Sequence, residues 1–236
     1  MIQYFSRRKI EWFVMRIRRK KHLEDRLLSV SDLVLVADRD IPNVKEAIKD
    51  KKYYDFIELF KNQNPVELEI GCGKGGFIAQ KALLNPNVNY LAVELLNNII
   101  VMAAELAKSR GIENAKYINS GAEYLPRYIK DESISNIYLN FSPPFPPNSY
   151  ESHRLTCDRR VLEYKNYLVN GGCVFQKTDD KDFFEYSFDR FVANGFLVEN
   201  VSSLIDNGKI ENVMTEYEKK FREKGMPIYA LIAKKI

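Results

Sequence analysis

From Pro65 to the C-terminus, short apolar runs rich in β-branched and aromatic residues alternate with segments of helical periodicity, and this alternation restricts the fold more than any other feature. "PVELEIG" precedes a helix from about Gly75, "NYLAVEL" a helix over 97–110, and "AKYINS" a short helix near 122–129. "NIYLNFS" precedes a helix over 154–168, and "GGCVFQKTD" one over 181–193. Five such units predict an α/β fold, a mostly parallel sheet covered on both faces. Two further apolar runs, "FLVENVSS" and "PIYALIAKK", are expected to close the sheet as a terminal hairpin, with "VMTEYEKKF" between them. Upstream, "NVKEAIKD" and "YYDFIELF" read as short helices. The chain is thereby divided into a basic arm (1–21), a small helical cap (22–64) and one catalytic-sized domain (65–236).

A chain of 236 residues with a 45% apolar fraction can bury a sizeable core. No apolar run approaches the roughly 18 residues of a membrane span. The N-terminus lacks a signal-peptide pattern, and Cys72, Cys157 and Cys173 show no CxxC spacing, so a cytoplasmic protein without a disulfide framework is expected. His22 and His153 have no metal partner at useful spacing, and no metal is expected. The net charge of +4 is unevenly placed: residues 1–21 carry eight Lys or Arg (Arg7, Arg8, Lys9, Arg16, Arg18, Arg19, Lys20, Lys21) against Glu11. That local +7 makes the remainder slightly acidic. Such an arm attracts nucleic acid through counterion release; the plainer alternative is a solvated helix face.

The first strand of the regular domain ends in "ELEIGCGKGGF". In open α/β sheets ligands sit at the carboxyl ends of the strands. There Gly71 and Gly73 allow a tight turn and close approach, and Glu94, 23 residues after Gly71, stands where a carboxylate accepts both hydroxyls of an adenosine ribose. The loop is GxGxGG, not GxGxxG, and no GK[ST] follows it, which excludes a Walker A loop. Glu69, two residues before Gly71, would repel a pyrophosphate but pair with an α-amino group, so S-adenosylmethionine is favoured over a dinucleotide.

"MRIRRK", "EIGCGKGGF", "AVEL", "KTDD…FFEYSF" and above all "NVMTEYEKKFREKGMPIY" together resemble the bacterial tRNA (guanine-N7-)-methyltransferases, from Met15 to the C-terminus. The resemblance implies a class I S-adenosylmethionine-dependent methyltransferase fold, Rossmann-like, with a seven-stranded, mostly parallel sheet. It also implies methyl transfer to N7 of a variable-loop guanine in tRNA; the oligomeric state is taken as a monomer by default, with a homodimer as the alternative. Glu69, Gly71, Gly73, Glu94 and the position of Gly121 then hold the cofactor. Asp179 and the segment Thr215, Glu216, Tyr217 and Glu218 face the substrate, and Arg154 engages phosphate. Read without the resemblance, Thr215 and Glu218 make a capping box, and Asp179 is a helix N-cap.

The match breaks at "SPPFPPNSYESHRLT". Ser142 and "RLT" align with the family pattern, but Pro143 stands in place of its aspartate, Phe145 of its tryptophan and Pro147 of its lysine. Gly121 is a third departure, since an acid commonly stands there to meet the adenine. Guanine N7 carries a free lone pair, so attack on a sulfonium methyl needs no general base and positioning dominates. Losing a carboxylate predicts a slower enzyme, with Asp179 and Ser142 as the remaining candidates beside the reacting atoms. "SPPF" also fits an amine-directed motif in which Ser142, the Pro143 carbonyl and Phe145 receive a target amine. A non-catalytic tRNA-binding relative is the third reading.

Overall fold

The computed structural model describes residues 21–37, 43–145, 148–210 and 212–236. The arm cations from Arg7 to Lys20, and Pro146 and Pro147, lie outside the described residues. In chain order the elements are α1 (Leu23–Ser29), β1 (Val34–Val36), α2 (Val44–Ala47), α3 (Phe56–Phe60), β2 (Val66–Ile70), α4 (Gly76–Leu84), β3 (Asn89–Glu94), α5 (Asn97–Ser109) and β4 (Ala115–Asn119). A 3-10 turn (Ala122–Tyr124) leads into α6 (Leu125–Tyr128), followed by β5 (Ile134–Asn140), a second 3-10 turn (Asn148–His153) and α7 (Asp158–Tyr167). The chain ends with β6 (Leu168–Thr178), α8 (Lys181–Ala193), β7 (Phe196–Asn200), α9 (Ser202–Asp206), α10 (Glu216–Glu223) and β8 (Tyr229–Lys235).

Among the described residues eight strands form one sheet, in the order β1-β4-β3-β2-β5-β6-β8-β7. Only β8 runs antiparallel to its neighbours, β6 and β7. The seven strands from β4 to β7 make the expected sheet. To these the structure adds β1, three residues paired in parallel with β4 from Val34 opposite Tyr117 to Val36 opposite Asn119. A run of three residues carries no readable periodicity; the pairing is what makes it a strand.

Side chains alternate across each strand, so the two faces build two packed layers. Val66, Leu68 and Ile70 of β2 join Leu125 and Tyr128 of α6, Val161 and Tyr164 of α7, and Phe184 and Phe191 of α8. The opposite layer joins Tyr90, Ala92 and Tyr117 to α1, α4 and α5. Because β2 is central and buried on both faces, its carboxylates Glu67 and Glu69 must find donors inside the protein. Glu67 accepts from Asn136 Nδ2 and the Tyr138 hydroxyl, each at 2.8 Å.

Two boundaries differ from expectation. The helix expected from 154 begins at Asp158, because Cys157 is extended (φ −66°, ψ 155°) and the six residues 148–153 form a 3-10 turn. Strand β6 starts at Leu168, before the glycine pair that reads as its beginning. Gly171 and Gly172 form an irregularity inside it, and a Cβ on Gly172 would stand 2.6 Å from the Ser135 carbonyl oxygen.

Candidate active site

Strand order reverses between β2 and β5, and the glycine loop leaves β2 at that switch point. Gly71 (φ +83°) and Gly73 (φ +56°) occupy the left-handed region, and a Cβ on either would meet nothing within 4 Å among the described residues, so the loop borders open space there. Gly75 is different: a Cβ there would lie 2.7 Å from that of Ala103, so the third glycine serves the packing of α5 against the loop. The loop is fixed to β3. The Gly71 and Cys72 N–H groups donate to the Val93 carbonyl at 2.8 and 3.0 Å, and Gly73 N–H donates to Glu94 Oε2 at 3.2 Å. Glu94 Oε1 accepts from Leu96 N–H at 2.9 Å. Burial raises the Glu94 pKa, and each of its oxygens keeps acceptor capacity for a hydroxyl. Asn119 Nδ2 donates to the Glu94 carbonyl oxygen at 3.1 Å, which ties the loop after β4, with Gly121, to the same edge.

Glu69 is 2% exposed. Its Oε1 accepts from Asn140 Nδ2 at 2.9 Å, while Oε2 is buried with no hydrogen-bond partner among the described residues. Burial pushes its pKa up to about 8, against the opposing pull of Asn140 and of the Lys177 ammonium. A half-satisfied buried carboxylate beside an open glycine loop is a waiting acceptor, and an ammonium group would complete it.

The far side of the site is built by β6 and α10. Asp180, not Asp179, caps α8, accepting from Phe183 N–H at 2.8 Å; Asp179 is left half-buried at the end of β6. Thr215 caps α10 by accepting from Glu218 N–H at 3.0 Å. The Glu218 carboxylate is 0% exposed and accepts from Lys177 Nζ at 2.7 Å, Arg222 Nε at 3.0 Å and Asn212 Nδ2. Burial alone would raise the Glu218 pKa, but these donors outweigh it and the net shift is downward. Its expected role of facing a guanine therefore meets a carboxylate already engaged inside the protein. Its neighbours point outward: Tyr217 is 57% exposed, and Glu216 stands 4.0 Å from Lys74 of the glycine loop. Folding thus brings the C-terminal segment onto the loop.

The proline lip follows β5. Phe141 has φ +53°, donates its N–H to the Lys177 carbonyl at 2.8 Å and lays its ring against Tyr217 (6.5 Å) and Phe221 (5.8 Å). Ser142 Oγ is buried with no partner among the described residues. Arg154, expected on a phosphate, turns back onto the lip. Its Nε donates to the Pro144 carbonyl at 2.9 Å and its Nη2 to the Phe145 carbonyl at 3.0 Å, while the guanidinium covers the Tyr186 ring at 4.3 Å.

A family model described as "Putative methyltransferase" matches residues 63–231. The chain is 36% identical over 216 residues to the tRNA (guanine-N(7)-)-methyltransferase of Bacillus subtilis, covering 91% of this chain and 96% of the relative. It is 35% identical to that of Streptococcus thermophilus over 93% of this chain and 98% of the relative. The chain belongs to the tRNA (guanine-N7-)-methyltransferase family. Its backbone resembles the 16S rRNA methyltransferase KamB (TM-score 0.57, 14% identity, 78% of this chain and 94% of that one). It also resembles a precorrin-6y C5,15-methyltransferase from Geobacter metallireducens (TM-score 0.53, 14% identity, 87% of this chain and 96% of that one). These likenesses carry the fold, a class I methyltransferase sheet, as expected from the family resemblance.

Within this family member, four residues central to the site stand out only in the structure: Asn140, Lys177, Asn212 and Asn119. Asn119, Asn140 and Lys177 are polar side chains at or near strand ends, Asn212 lies in the loop before α10, and each is held by a partner at least 25 positions away. The sequence signal for the three strand residues is a polar residue closing an apolar strand, as in "YLN", "YIN" and "FQK".

Proposed function

We propose that the protein transfers a methyl group from S-adenosylmethionine to N7 of a variable-loop guanine in tRNA, in the cytoplasm. The observation that carries this reading is the orphaned Glu69 Oε2 beside open glycines. It fits the donor: a cationic amine for the buried carboxylate, and a ribose for the remaining acceptor capacity of Glu94. When bound, that donor supplies an electrophilic methyl on sulfur. Glu69 accepts its amine, Gly71 and Gly73 admit it without a colliding side chain, and Glu94 holds its hydroxyls. Tyr217 lies under the base, Glu216 accepts from the guanine amino edge, and Asp179 opposes the positive charge that grows on the purine as N7 bonds to carbon. The 1–21 arm engages tRNA phosphates and 65–236 carries the chemistry, while 22–64 is built into the same body through α1 and the edge strand β1. Glu218 and Arg154 act as positioning residues for α10 and the lip.

A second reading, methylation of an amine at "SPPF", is favoured by the buried Ser142 hydroxyl, which has no partner among the described residues. Incubation of unmodified tRNA with methyl-labelled donor, followed by nucleoside mapping, separates the two. N7-methylguanosine in the variable loop supports the first. A methylated exocyclic amine supports the second, and retained tRNA binding without product removes both.

A further inference from the structure

The lip after β5 is braced from α8. Phe145 has φ +43°, a left-handed backbone that an aromatic residue holds only where its surroundings impose it. Arg154 imposes it, through the hydrogen bonds of its Nε and Nη2 to the Pro144 and Phe145 carbonyls. The Arg154 guanidinium rests in turn on the face of Tyr186, 4.3 Å from the ring centre. The Tyr186 hydroxyl donates to Glu151 Oε1 at 2.8 Å, within the 3-10 turn. One side chain thus meets the returning leg of the lip at two points, a planar cation and a carboxylate. Its neighbour Ser187 is buried, with its Oγ 2.8 Å from Thr156 Oγ1 and accepting from Gln176 Nε2 of β6 at 2.9 Å, so this platform is fixed to the sheet. The other leg of the lip starts inside the site: Asn140 holds Glu69, and the Phe141 ring lies against Tyr217. A displacement of Arg154 is therefore carried along the chain towards Phe141.

We propose that Tyr186 is a positioning residue for methyl transfer: its ring and hydroxyl fix Arg154 and Glu151, and through them the lip against which the acceptor is seated. The inference rests on the protein being a methyltransferase whose acceptor borders the lip. Tyr186 is half-buried on the surface of α8, so its loss acts on the geometry of the lip and leaves the core packed. A displacement of about 1 Å at a reacting centre costs up to about a hundredfold in rate. Phenylalanine at this position keeps the flat face on which a guanidinium rests, and leucine does not.

Single-turnover methylation of unmodified tRNA by the full chain, with methyl-labelled S-adenosylmethionine in excess, reads the transfer step, and calorimetry with S-adenosylhomocysteine reads the cofactor site. Tyr186→Leu should slow transfer about tenfold to a hundredfold, while cofactor affinity and the melting temperature stay at their wild-type values. Tyr186→Phe should keep most of the rate. Arg154→Leu should be about as slow as Tyr186→Leu, and the double variant no slower than either, because both act through one contact. A wild-type rate in Tyr186→Leu, or losses that multiply in the double variant, overturns the inference, while N7-methylguanosine from the wild type leaves the proposed function standing. Should Tyr186→Leu melt early, Arg154→Lys decides: it keeps the charge but not the planar fork, and a wild-type rate there overturns the inference. A methylated exocyclic amine from the wild type removes the N7 reading and leaves the rate comparison in force; no product at all removes both.

Discussion

At the scale of single residues, Glu69 and Asp179 carry different burdens. The Glu69 pKa of about 8 lies above the ordinary carboxylate value, so the free folded protein holds a proton there that the unfolded chain releases. Stability from this group is therefore full at acid pH and declines as pH rises from the ordinary carboxylate range to about 8. Pairing with the donor's ammonium requires the ionised form. Affinity for S-adenosylhomocysteine should accordingly rise with pH and level off above about 8, with up to one proton released. Calorimetry in buffers of different ionisation enthalpy checks this, and Glu69→Gln should bind weakly with a flat profile. For Asp179, half-buried and relieved of capping by Asp180, the expected effect is on the chemical step. Asp179→Asn should lower kcat about a hundredfold to a thousandfold, with little change in cofactor affinity, in single-turnover methylation.

At the scale of elements, the question is what holds α10 over the glycine loop. Thr215 fixes the start of the helix, and the Lys177–Glu218 pair, 2.7 Å apart with the partners 7% and 0% exposed, ties it to β6. Burial lowers the Lys177 pKa, while Glu218 pulls it back up. Removing Lys177 takes the nearest cation from the buried Glu218 and leaves it only Arg222 and Asn212, so Lys177→Met should cost up to about 3–5 kcal/mol. Lys177→Met combined with Glu218→Leu should recover much of it, as read by denaturant unfolding. The lip is braced differently: Arg154 reaches two carbonyls with a planar fork, a geometry that a lysine ammonium does not reproduce.

At the scale of the whole molecule, a slightly acidic body meets a polyanionic substrate, and the net positive charge is concentrated in the first 21 residues. Deleting residues 1–20 should weaken tRNA binding and flatten its dependence on salt by several units of log–log slope, while cofactor affinity is unchanged. Binding titrations across a salt series would read this directly. The amino-acid sequence by itself determined the layered α/β architecture, the glycine loop with Glu69 and Glu94, and the family, because periodicity, turn residues and motif spacing are local properties of the chain. Tertiary structure alone decided that Val34–Val36 joins the sheet and that Arg154 braces the lip. It also decided that Glu218 is consumed by Lys177 and that Tyr186 underlies Arg154. In each case the partner lies on another element, and only packing fixes that.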